Sequence, residues 1–189
     1  MATTEIRISG FGGQGVILAA YVLGKAYAVV EGRHATLNQS FGPEARGSAC
    51  SAQLILSEEP IMYPYVRGLD ILVSMSQDAY HSFIDQVRPG GLVLIDESLV
   101  TPRPPDGLRL LGAPATRTAE EIGKRIMANM VMVGLFTAAT RLVEPESAEE
   151  AIRTSVPSGT QDVNLRAFQS GLEMGRKLMG PRELEEVTA

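Results

Sequence analysis

The chain has 189 residues, 44% of them hydrophobic and 21% charged, with a formal net charge of −5 and a pI near 5.1. That is enough for one substantial folded core, and the acidic balance argues against a general nucleic-acid binder, which needs a basic face. The single cysteine, Cys50, rules out an internal disulfide, structural zinc and an iron–sulfur cluster, which typically needs about four thiolates.

Ile6-Arg7-Ile8 reads as a short first strand that runs into Gly10-Phe11-Gly12-Gly13-Gln14-Gly15. Val16 to Val30 follows as a helix that is apolar on most of its circumference, and Gly32 stops it. Ala35 to Asn38 is a second strand. Gln39 to Ser48 has no apolar period and is a loop. Ala49 to Ser57 alternates as a third strand, and Pro60 and Pro64 punctuate the next loop. Leu69 to Ser74 is the continuous apolar run of a buried parallel strand. Asp78 to Val87 is a short helix ended by Arg88-Pro89-Gly90-Gly91. Leu92 to Asp96 is a fifth strand, and Leu108 to Leu111 a sixth.

After Thr118 the chain turns helical, with Thr118 as N-cap and Glu120 and Glu121 in the first turn. Ile126 to Ala139 is a second helix too apolar for one buried face, and Ser147-x-x-Glu150 suggests a capping box for another. Gln161 to Met179 is the last helix. Residues 1–179 form a single domain, and the polar segment 180–189 is expected to be a flexible tail. The apolar runs are broken by Lys25 and Asn129 and fall short of the roughly 20 residues a bilayer needs. No basic, apolar leader opens the chain, so a cytoplasmic protein without membrane contact is expected.

Alternating strands and helices predict an α/β, Rossmann-like three-layer fold, with a mostly parallel sheet and helices on both faces. Gly10, Gly12 and Gly15 match the G-x-G-x-x-G spacing between strand and helix. There the first glycine lets the chain turn, the second lets a phosphate approach the backbone, and the third lets helix pack on strand. The free N–H groups of the helix start would face an anion.

A dinucleotide site also wants an acid at the end of the second strand, which here ends Asn38-Gln39. Glu31 precedes Gly32 at the helix end, the wrong place. His34 and His81 lack ligand spacing, and neither a Walker lysine nor a G-x-S-x-G elbow is present. Asp96 and Glu97, at a strand end, read as solvated turn residues before catalytic ones. Arg46, in the loop after the second strand, leaves the same sheet edge as the glycine turn and is read equally as a second clamp for a phosphate or carboxylate and as a surface arginine paired with Glu44. The residues alone leave open a free-standing Rossmann-type nucleotide-binding oxidoreductase and a metabolite-binding module.

Four stretches together are more specific: residues 6–16, Gln39 to Gly47, Asp70 to Gln77, and Lys124 to Gly134. They resemble the gamma subunit of 2-oxoacid:ferredoxin oxidoreductases, with the 2-oxoglutarate enzymes nearest, and the gamma domain of fused pyruvate:ferredoxin oxidoreductases. The likeness covers roughly 1–179. Ser48 departs from it, standing where a second glycine is expected after Ala-Arg-Gly.

The resemblance implies a heteromeric complex that oxidatively decarboxylates a 2-oxoacid with coenzyme A, giving acyl-CoA, carbon dioxide and reduced ferredoxin. Thiamine diphosphate, Mg2+ and iron–sulfur clusters would sit on alpha, beta and delta-type subunits. This chain would be non-catalytic and would bind no metal. Gly10, Gly12, Gly13, Gln14, Gly15 and Arg46 would be its candidate contacts to coenzyme A or another anion. Its over-apolar helices would be buried against other subunits, and an isolated chain with that much apolar surface is a candidate for self-association. Asn129 is expected to be a buried hydrogen-bonding strut.

Overall fold

A computed structural model describes residues 3–41 and 49–186. The strands are β1 (Thr4–Phe11), β2 (His34–Phe41), β3 (Ala49–Ser57), β4 (Leu69–Ser74), β5 (Val87–Asp96) and β6 (Arg109–Ala113). The helices are α1 (Val16–Lys25), α2 (Gln77–Phe83), α3 (Ala115–Ile122), α4 (Ala128–Thr140), α5 (Pro145–Arg153) and α6 (Gln161–Glu186).

The strands form one sheet in the order β2-β3-β1-β4-β5-β6. Pairings β1–β4, β4–β5 and β5–β6 are parallel, while β1–β3 and β2–β3 are antiparallel. The sheet is therefore mixed. Where a doubly wound fold would make the strand after β2 parallel, β3 pairs antiparallel with both β2 and β1.

The two faces are unequal. Ile6, Ile8, Leu54, Leu56, Val73 and Leu94 point into the larger core, which α1 and α3 to α6 cover. Leu72, Val93 and Ile95 point the other way, onto Tyr80 and Ile84 of α2 and its extension. Alternation along each strand produces this division.

Helix α4 is the centre of the larger core. Every residue from Ala128 to Ala139 is buried. Its all-round apolarity is thus used within the chain, contrary to the expectation that a partner would cover it. It can lie so deep because α6 crosses it at two glycines. A Cβ on Gly134 would come within 2.6 Å of the Leu172 nitrogen, and one on Gly171 would strike the Val131 carbonyl. The first helix differs: α1 continues as a π-helical turn, Ala26–Val30, and leaves Tyr21, Val29 and Val30 exposed.

Several boundaries move. Strand β5 starts at Val87, so Arg88 to Gly91 extend the strand. Helix α3 starts at Ala115, which puts Thr118 inside it, buried, and not at its cap. Pro145 opens α5, where its missing N–H costs nothing, so Ser147 is no cap. Helix α6 runs to Glu186, past Met179. No helix among the described residues is long and apolar enough to cross a membrane.

Candidate functional site

Strand β1 delivers the glycine turn to the carboxyl edge of the sheet. Gly12 to Gly15 connect Phe11 to Val16, and the Gln14 N–H donates to the Phe11 carbonyl at 3.1 Å. Gly13, with φ 98°, is exposed and has open space where a side chain would go. Gly15, with φ 72°, is the N-cap of α1, and no side chain caps that helix. Both need the left-handed conformation that glycine tolerates. Gly10 is needed for space, since its Cβ would press on Gln14, Val16 and Met75.

Gln14 locks the turn. Its Oε1 accepts from Phe11 N at 2.6 Å and its Nε2 donates to the Met75 carbonyl at 2.8 Å. Met75 follows β4, so Gln14 bridges the carboxyl ends of β1 and β4. That is the point where the strand order reverses and where such sheets usually seat a ligand. Here it is closed by a side-chain amide.

The open space lies beside it. A recess of about 190 Å³ is lined by Gly13, Gln14, Thr116, Arg125, Ile126 and Ala128. It meets a cleft of about 530 Å³ that shares Thr116 and Arg125 and adds Glu97, Ser98, Pro114 and Arg117. The starts of α1, α3 and α4 all border the recess. Helix N-termini carry partial positive charge; that of α1 has no side-chain cap and can favour an anion, whereas the first N–H groups of α3 are already held by Asp96 and Ser98. Arg125, 66% exposed, adds a full charge. Its Nε lies 3.8 Å from Glu120 Oε1, an exposed pair too loose to withhold it from a ligand.

Asp96 is not the solvated turn residue it resembles in the sequence. It is wholly buried, and its Oδ2 accepts from the Thr116 N–H at 3.1 Å and hydroxyl at 2.5 Å, while Oδ1 accepts from Ser98 N. It fixes the start of α3 against β5. Asn129 is the buried strut expected: Nδ2 donates to the Gly15 carbonyl at 3.2 Å, and Oδ1 accepts from Met130 N. His34 and His81 are exposed, and His81 lies against Gln77 and the Tyr80 ring.

Gly12, Gly13, Gln14 and Gly15 are therefore gathered at the edge, with Gly10 behind them. Arg46 lies outside the described residues. Its loop leaves β2 at Phe41, paired with Cys50, and enters β3 at Ala49, paired with Phe11. Ala49 thus lies beside the end of β1, and Phe41 one strand further out. Arg125 was missed by sequence reasoning. The signal was there in Gly123-Lys124-Arg125, two cations just ahead of a buried helix.

A family model described as pyruvate ferredoxin/flavodoxin oxidoreductase matches residues 5–174. The 2-oxoglutarate synthase subunit KorC of Methanothermobacter marburgensis is 49% identical over 177 residues, covering 90% of this chain and 95% of that protein. The keto/oxoacid ferredoxin oxidoreductase gamma subunit of Geobacter sulfurreducens superposes with a TM-score of 0.81 at 36% identity, over 91% of this chain and 98% of that one. A chain of 2-oxoglutarate:ferredoxin oxidoreductase from Magnetococcus marinus shares the fold, with a TM-score of 0.82 at 21% identity, over 94% of this chain and 32% of that one. By sequence over most of its length, and by its fold, the chain belongs to the pyruvate ferredoxin/flavodoxin oxidoreductase family.

Proposed function

We infer that the chain is the gamma subunit of a 2-oxoglutarate:ferredoxin oxidoreductase complex, and that its glycine turn and neighbouring cations help seat coenzyme A. The complex converts 2-oxoglutarate and coenzyme A to succinyl-CoA and carbon dioxide and passes electrons to ferredoxin. Three relatives named 2-oxoglutarate synthase subunit KorC, 48–49% identical over nearly their whole length, support the choice of substrate. Alpha, beta and delta-type subunits would be the partners, in the cytoplasm. They would hold thiamine diphosphate, Mg2+ and the iron–sulfur clusters, since Cys50 is the one thiol here and is buried in β3.

The observation that carries the coenzyme A assignment is the recess at the uncapped start of α1, with Arg125 beside the turn. Coenzyme A is a polyanion, and the uncapped start of α1 with a nearby guanidinium suits phosphate. Gly10 and Gln14 shape the turn; Gly12, Gly13 and Gly15 expose backbone; Arg125 and Arg46 supply charge. None of them is asked to break or form a bond. Reconstitution tests this. The chain alone should turn over nothing, and the other subunits should regain coenzyme A-dependent ferredoxin reduction when it is added. Turnover by the chain alone would overturn the reading.

A further inference from the structure

Arg7 lies in the middle of β1, on the face that α2 covers only in part. It is 9% exposed. Its Nη1 donates to Ser51 Oγ at 3.2 Å, and its Cζ lies 4.3 Å from the centre of the Phe83 ring. Its Nε is buried with no partner, and no Asp or Glu among the described residues pairs with it. The acid two residues away on the same face, Glu5, is taken: its Oε2 accepts from Arg88 Nη2, Arg67 N and Gly68 N. Asp70 also holds Arg88. A guanidinium stripped of water without a carboxylate is destabilising, and burial accordingly pushes its pKa down.

The surroundings indicate what completes it. Gln53 of β3 stands opposite Arg7, and its Oε1 accepts from Val66 N. Arg7 therefore lies between the Phe83 ring, which covers its guanidinium, and Gln53, which holds Val66 of the 58–68 loop. On the Val66 side the 58–68 loop holds Met62, Tyr63 and Tyr65 out to solvent, 91%, 51% and 54% exposed. Arg67 stacks on Tyr63. Exposed Met, Tyr and Arg on the loop held to the cross-strand neighbour of a buried charge is the composition of an interface core.

We propose that this face of β1 and β3 docks another subunit of the complex, which brings an Asp or Glu side chain to pair with Arg7. Charge complementarity selects the occupant, because the face offers a buried cation and lacks its acid. The proposal rests on the chain being a subunit, and the test separates the two claims.

The full-length chain, wild type, Arg7→Met and Tyr65→Ala, is melted alone and then titrated with the larger subunits, identified by mass. Arg7→Met should melt at or above the wild-type temperature, because an uncompensated charge is removed, yet bind the subunits at least tenfold more weakly. Tyr65→Ala should melt as wild type and also bind more weakly. Arg7→Met melting below wild type, or assembling like it, overturns the proposal. So does an Arg7-dependent rise in melting temperature with millimolar inorganic phosphate or acetate, which would mark a small-anion site. A wild-type chain that captures none of the larger subunits overturns the subunit reading itself.

Discussion

The side-chain amide of Asn129, at the start of α4, donates to the backbone carbonyl of Gly15, at the start of α1, with an N–O distance of 3.2 Å. One buried amide thus ties the glycine turn to the central helix of the core. It also explains the glycine, because a Cβ at position 15 would lie 3.0 Å from Asn129 Cγ and closer to its nitrogen. Gly13 has the same left-handed backbone with nothing nearby.

The two glycines should therefore differ. Gly13→Ala should lose roughly 1–2 kcal/mol, the cost of a side chain in the left-handed region. Gly15→Ala should lose that and the Asn129 contact besides. In urea denaturation a Gly15→Ala, Asn129→Ala double variant should lose less than the sum of the singles, since the atoms that clash are gone.

Gln14 holds the turn from both ends. Gln14→Leu leaves the Phe11 N–H and the Met75 carbonyl without their partner. The expected loss is about 1–3 kcal/mol in urea denaturation. The amide exchange of Phe11 should speed up while that of β3 stays slow.

The crossing of α4 and α6 allows no side chain at either glycine. Gly171→Ala would drive a Cβ into the Val131 carbonyl, which is backbone and cannot swing aside. Destabilisation should exceed the roughly 1–3 kcal/mol typical of overpacking. Gly32→Ala, with open space around it, should lose only the backbone term.

Burial pushes the Cys50 thiol up. The folded pKa is above the unfolded one, so the stabilisation is complete below the ordinary thiol range and is lost as pH rises through it. The native chain should alkylate with iodoacetamide at least tenfold more slowly at pH 8 than the chain in urea. Its melting temperature should fall between pH 8 and pH 10 more steeply than that of Cys50→Ala.

Periodicity placed β3 and β4 to the residue and found the glycine turn, because short strands between turn residues leave a clear pattern. It could not tell that β3 is antiparallel to β2, since alternation marks a strand and not its direction. Thr118 and Ser147 look like caps, but Pro145 and the buried Asp96 fix the real helix starts through tertiary contacts. The apolar run of α4 fits burial by a partner as well as burial by α6. Only the glycine pair at 134 and 171 decides between them, and that pair is legible once the two helices are placed. In the site, the turn could be read in advance; Lys124 and Arg125 stand in the sequence as two cations ahead of an apolar helix, but only the packing of α4 on α1 shows that Arg125 belongs to the turn.

The most direct test of the account is the steady-state dependence on coenzyme A of the reconstituted complex carrying Arg125→Ala, with Arg46→Ala beside it. A subunit that seats the anion and does no chemistry predicts a KM for coenzyme A raised about tenfold, the effect of roughly 1.4 kcal/mol of lost charge-assisted binding, with kcat at saturating coenzyme A kept. An unchanged KM in both variants, or a collapse of kcat at saturating coenzyme A, would contradict it.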